Sequence, residues 1–279
     1  MTTSPPARPV ALTIAGSDSS GGAGISADLK TFEALDVWGT SAITAVTAQN
    51  SQGVKASLIL PAWLVAAQID AVAVDVRVEA AKTGMLGSAE VVAAVWRALK
   101  ASGIPRLVVD PVVLATQGDR LLDADAVRPL REELLPMATV VTPNLAEAAA
   151  LTGLDVADRG GMAAAAEALH GLGASVVLLT GGHLPDRARS PDLIWTADGP
   201  VWLEADRVGT VHTHGTGCVL SAAVTAELAR GRDPVEACEL GKQFVTGAIR
   251  AGFGLGAGPG PVDPGFLGRT GGGPRGRGF

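Results

Sequence analysis

Short apolar, β-branched runs alternate along the chain with longer alanine-rich stretches whose apolar positions recur every three or four residues. The first run, VALTIA from Val10, reads as a buried strand. A glycine-rich loop separates it from a helix expected to begin near Ile25, in which Ile25, Leu29, Phe32 and Leu35 share one face. SAITAVTAQ from Ser41 is a second expected strand, and a helix of the LVAAQIDAV kind follows Pro61. RLVVD from Arg106, TVVT from Thr139 and SVVLLT from Ser175 are further short strands, each followed by a loop and in most cases a helix. Runs this short and this uniformly apolar suit strands buried on both faces. The pattern predicts an α/β chain with a mostly parallel central sheet and helices on both faces. In that architecture ligands sit beyond the carboxyl ends of the strands.

The pattern stops near the end. From Gly254 the chain reads GLGAGPGPVDPGFLGRTGGGPRGRGF, with no period. The expected organisation is a short disordered N-terminus over 1–9, one domain over 10–267 and a disordered Gly/Arg-rich tail over 268–279.

Composition narrows the function. With 279 residues, 47% apolar and 18% charged, the chain is long enough to bury a large core. Its net charge of -6 argues against nucleic acid or an anionic membrane as partner. There are two cysteines, Cys218 and Cys238, and no CxxC, which argues against a disulfide scaffold or zinc ribbon. MTTSPPARPV lacks the layout of a signal peptide, and SLILPAWLVAAQI is interrupted by Pro61, so a cytoplasmic protein without a membrane span is expected.

Five stretches carry candidate chemistry. GSDSSGGAG, Gly16 to Gly24, joins the first strand to the first helix; it is neither a P-loop nor GxGxxG, and Asp18 and the serines can cap it. Asp28, one turn into the helix, is either an exposed aspartate or an acceptor for a ligand hydroxyl. TAQN ends the second strand, and the carboxamide of Gln49 has the donors and acceptor to pair with an aminopyrimidine edge, unless it is a plain surface glutamine. In VVDPVV, Asp110 is either a metal or phosphate-side carboxylate or an Asx turn before Pro111. In TPNLAE, Asn144 and Glu147 form either a capping box or, through Glu147, a magnesium site. Last, THGTGC places Gly215, Thr216, Gly217 and Cys218 where a helix begins. Backbone amides there form an anion cradle, and a thiol at a helix start is expected to have a lowered pKa. It would then serve as a base or hold a hydroxyl in line. The helix is credible from Leu220, Val224 and Leu228, with Gly231 as its stop, whereas His212, His214 and Cys218 do not make a convincing metal set.

Together ALTIAGSDSSGGAGISADLKTF, VTAQNSQGV, KTGMLG, VVDPVV, GDRLL, TPNLAEAAAL, GGHL and THGTGCVLSAA resemble the hydroxymethylpyrimidine/phosphomethylpyrimidine kinases of thiamine biosynthesis, within the ribokinase-like superfamily. The resemblance runs from about Val10 to Leu267. It implies a ribokinase-like three-layer sandwich that uses ATP and Mg2+ on a small pyrimidine and is commonly a homodimer. It implies that Gly16, Asp28, Gln49 and Met85 line the pyrimidine pocket, and that Gly215, Thr216, Gly217 and Cys218 form the catalytic anion hole. Asp110 and Glu147 fall on its metal side, and Asn144, Thr180 and Lys82 on its ATP and phosphate side. This chain has Thr180 where many relatives carry lysine, and LATQG where many carry another. Pyridoxal or pyridoxine kinase is the nearest alternative. A dinucleotide-dependent oxidoreductase and an RNA-binding protein using the RGRGF end are the alternatives from other classes.

Overall fold

In the computed structural model, which describes residues 8–113, 122–186 and 188–270, β1 (Val10–Ala15) leads through the glycine loop to α1 (Gly24–Ala34) and then β2 (Trp38–Ile43). The chain leaves the sheet as a hairpin, β3 (Ala45–Asn50) and β4 (Gly53–Ile59), and returns through α2 (Ala62–Ala73) to β5 (Ala80–Thr83). Helix α3 (Ala89–Ser102) and β6 (Leu107–Val109) follow. An irregular helical stretch over 124–137 contains α4 (Val127–Pro129). Beyond it come β7 (Val140–Val141), α5 (Leu145–Thr152), α6 (Arg159–Gly171) and β8 (Val176–Thr180). The hairpin β9 (Asp192–Thr196) and β10 (Gly199–Leu203) precedes α7 (Thr216–Ala229), α8 (Pro234–Arg250) and α9 (Phe266–Thr270).

The main sheet has the order β10-β9-β8-β7-β6-β5-β1-β2. Strands β1, β2, β5, β6, β7 and β8 run parallel, and β9 pairs antiparallel with both β8 and β10. Two cores flank it. Val65, Val95, Leu134 and Met162 belong to one, on the side of α2, α3, α5 and α6. Phe32, Leu220, Val224 and Phe244 belong to the other, under α1, α7 and α8. This is the expected three-layer α/β sandwich. Among the described residues no helix is long and apolar enough to cross a membrane.

Two expectations change. SAITAVTAQ is two strands, β2 and β3, because Thr44 turns out of the ladder. Its N–H donates to Ala15 O, its carbonyl accepts from Leu60, and its hydroxyl donates to Met85 O. The strand β3 pairs instead with β4 in a separate two-stranded sheet, whose register shifts between Ala48 and Gln49. Helix α1 buries its expected apolar stripe unevenly: Phe32 is fully buried and Leu29 and Leu35 only in part, while Ala27, Asp28 and Thr31 are buried beside them. Asp28 meets a buried cation, described below. At the chain ends, Arg8 is tied to Glu33 and Asp36, and residues 268–270 lie in α9. The rest of the expected disordered ends, and LATQG over 114–118, lie outside the described residues.

Candidate functional site

The glycine loop after β1 is held from within by Asp18. Its carboxylate accepts from the N–H groups of Ser20, Gly22 and Ala23, from the Ser20 hydroxyl, and from His214 Nε2 at 2.8 Å. Burial alone would raise the Asp18 pKa, but the His214 and Ser20 hydrogen bonds outweigh it and bring the value down to about 2. The side chain is only 3% exposed. What reads in sequence as a capped turn is therefore a rigid loop, and it is clamped to the segment that opens α7.

That segment is the Gly-Thr-Gly turn. Gly215 caps α7 with φ +81°, and a Cβ there would lie 1.9 Å from Gly22 O. Only glycine combines that conformation with that approach. No side chain caps α7, so the first-turn amides point toward the space in front of the turn. Thr216 directs its own hydroxyl back to Thr213 O at 2.7 Å.

Cys218 sits in the first turn, half-buried, and the Gly24 N–H donates to its Sγ at 3.4 Å. The expected low pKa is overturned. Burial pushes the thiol up to about 12; Lys82 opposes the rise, while Asp28 and Asp110 add to it. The helix start is outweighed because the thiol has lost water and faces two carboxylates.

Asp28, which the resemblance puts in the pyrimidine pocket, and Lys82, which it puts on the phosphate side, form a buried ion pair. Both side chains have 0% exposure, and the ammonium nitrogen of Lys82 lies 2.9 Å from Asp28 Oδ1. Thr13 donates to the other Asp28 oxygen at 2.6 Å. Burial disfavours the Lys82 charge, but Asp28, Cys218 and Asp110 more than restore it and raise its pKa, while burial raises that of Asp28 against the pull of Lys82 and Thr13. Asp110 accepts from the Ser221 hydroxyl at 2.8 Å, one helical turn beyond Cys218.

On the far side of Asp110, Asn144 and Glu147 form the full capping box of α5: the Asn144 side chain accepts from Glu147 N–H, and Glu147 Oε2 from Asn144 N–H. Burial first, and the charge of Asp110 second, raise the Glu147 pKa to about 8. Two buried carboxylates that repel one another suit a hard cation bound by oxygen, so the donor set fits magnesium. The buried hydroxyls of Thr83 and Thr142, at the ends of the strands on either side of Asp110, have no hydrogen-bond partner. Thr180 ends β8 and bridges to Asn144. The loop after it is pinned by Arg207, which donates to the carbonyls of Gly182, Leu184 and Asp186.

Gly16 and Met85 meet across the end of β1: a Cβ on Gly16 would lie 3.0 Å from Met85 Sδ. Gln49 stands on the hairpin, its N–H and carbonyl exchanging hydrogen bonds with the Ser19 hydroxyl and its carboxamide oxygen accepting from Thr47 at 3.3 Å. Ser221, Thr13 and the His214–Asp18 contact escaped the sequence reading. Ser221 alone left a signal, as a polar residue three positions after Cys218, about one helical turn on.

A family model described as phosphomethylpyrimidine kinase matches residues 18–263. A hydroxymethylpyrimidine/phosphomethylpyrimidine kinase of Streptomyces coelicolor is 49% identical over 264 residues, covering 95% of this chain and 97% of that protein. Its counterpart from Rhizobium meliloti is 52% identical over 256 residues, covering 91% and 96%. The chain also superimposes on a Bacillus subtilis pyridoxal kinase solved as an ADP complex, with TM-score 0.88, 38% identity and coverage of 94% and 99%.

Proposed function

The chain belongs to the phosphomethylpyrimidine kinase family, and from that membership we propose that it is the ATP-dependent phosphotransferase of thiamine biosynthesis. It phosphorylates 4-amino-5-hydroxymethyl-2-methylpyrimidine, and then the monophosphate so formed to the diphosphate. The observation that carries the reading is the Gly215–Cys218 turn, locked against the glycine loop in front of a buried cation and carboxylate.

Phosphoryl transfer is chiefly positioning and charge stabilisation. The first-turn amides of α7 receive the moving phosphoryl group. Cys218, a neutral thiol at rest because of its raised pKa, orients the hydroxyl in the first step. In the second step the acceptor is an ionised phosphate that needs no such help. Gln49 reads the aminopyrimidine edge, against the wall made by Gly16 and Met85. The ATP phosphates run toward Asn144 and Thr180. Asp110 and Glu147 would hold magnesium, which supplies neutralising charge to the phosphates. We further propose a homodimer working in the cytoplasm.

The structural likeness to a pyridoxal kinase favours one second reading, activity on pyridoxal. A coupled ADP-release assay with ATP and magnesium tests both, run against hydroxymethylpyrimidine, its monophosphate and pyridoxal. Turnover of both pyrimidines is expected. Turnover of pyridoxal alone would replace the proposed substrate and the role of Gln49.

A further inference from the structure

The proposed transfer leaves the buried Lys82–Asp28 pair without a task. Net stability is a poor explanation for it, because two charges must leave water and apolar residues of similar volume often do as well. Its place in the fold supplies a better one. Helix α1 touches the reaction centre twice on one face. Gly24 gives its N–H to Cys218 Sγ at 3.4 Å, and four residues later Asp28 holds Lys82 at 2.9 Å. Thr13 on β1 fixes Asp28 from the other side. The ammonium of Lys82 lies beside the end of β5, where a Cβ on Gly84 would come within 3.6 Å of it. The charged groups that face the thiol are Lys82 from β5, Asp28 from α1 and Asp110 from the end of β6.

We propose that Lys82 is a positioning residue for the transfer, its buried charge, metered by Asp28, setting the reactivity of the Cys218 thiol. Lys82 draws the thiol toward thiolate, and Asp28 holds it back. Loss of one partner therefore changes thiol reactivity in the opposite sense to loss of the other. A pair that only supported the fold would not behave so: either loss would loosen the site and move reactivity the same way.

The test is the rate at which iodoacetamide alkylates Cys218, read by mass spectrometry of its own peptide so that Cys238 does not contribute. It compares the wild type, Lys82→Met, Asp28→Asn and the double variant at about pH 9. Lys82→Met is expected to slow the reaction by about fivefold or more and Asp28→Asn to speed it by a similar factor, with the double variant between them. If Lys82→Met does not fold, the double variant must still react about fivefold more slowly than Asp28→Asn, because it lacks only the lysine by comparison. Single variants that move together, or a double variant equal to Asp28→Asn, overturn the proposal. Alkylation needs no substrate, so this result stands apart from the kinase reading on which the catalytic part rests. In the kinase reaction the pH profile of the hydroxymethyl step is expected to move toward acid in Asp28→Asn, with the monophosphate step unmoved. Equal movement in both steps overturns the link to the acceptor proton.

Discussion

At Cys218 two opposing influences act on one sulfur atom. The start of α7 and the ammonium of Lys82 favour the thiolate, while burial and two carboxylates favour the thiol and win. A neutral thiol orients a hydroxyl but does not strip it, and the loose transition state of phosphoryl transfer asks for little more. Cys218→Ala should therefore lower kcat on hydroxymethylpyrimidine by roughly 10²-fold and on the monophosphate only several-fold. Equal losses in single-turnover measurements would remove the thiol from the first step. Asp18 makes a second prediction. Its pKa falls from 3.8 unfolded to about 2 folded. A depressed carboxylate contributes stability above its unfolded pKa and loses it as pH falls through the folded value. Roughly 2 kcal/mol should disappear between about pH 4 and pH 2. Urea unfolding of wild type against Asp18→Asn checks it, and the two curves should converge at the acid end.

The elements that build the site differ in how they reveal themselves. Helix α7 is buried from Val219 to Ala229, with Ser221, Thr225 and Glu227 among the buried positions, and it ends before Gly231 as the sequence suggests. The turn before it depends on Gly215. Gly215→Ala adds strain at φ +81° and a clash with Gly22 O. The expected cost is about 2–3 kcal/mol of stability, with kcat falling further than the melting temperature implies. A variant with wild-type kcat would show that the loop and turn need not be locked. The hairpin of β3 and β4 was half legible. TAQN announced a strand end, but β4 is largely exposed and mixes Lys55 and Ser57 with Leu58, so it carries no burial pattern to read. The chain's departure at Thr44 is set by a hydroxyl reaching Met85, a contact between residues 41 positions apart.

At the scale of the molecule, the layered architecture was legible because strand and helix periods are local and the parallel core strands are uniformly apolar. Charge partnerships were not. Asp28 and Lys82 are 54 positions apart, and Asp18 and His214 are 196 apart. No spacing rule links such residues; only the sheet order that puts β5 beside β1 brings the first pair together. The same order joins the ligand-facing loops to one folded unit, so ligands should stabilise all of it. An unreactive ATP analogue with magnesium and hydroxymethylpyrimidine, at about a hundredfold excess over Kd, should raise the melting temperature by roughly 5–10 °C in a single transition. No shift in differential scanning fluorimetry would contradict the proposed ligands.

The glycine loop is bonded on one side to the hairpin, through Ser19 and Gln49, and on the other to the turn before α7, through Asp18 and His214. If the hairpin recognises the pyrimidine and the turn does the chemistry, as proposed, the two are inherited together. An engineer who wished to give this scaffold a new acceptor could not graft the hairpin alone, because its new shape would have to be matched at the loop and passed on to the turn. In a library of chimaeras made with one crossover, any exchange point between the hairpin and His214 separates parts that were selected as a set. Active offspring should come from exchanges near the chain ends, or from double crossovers that keep all three segments from one parent.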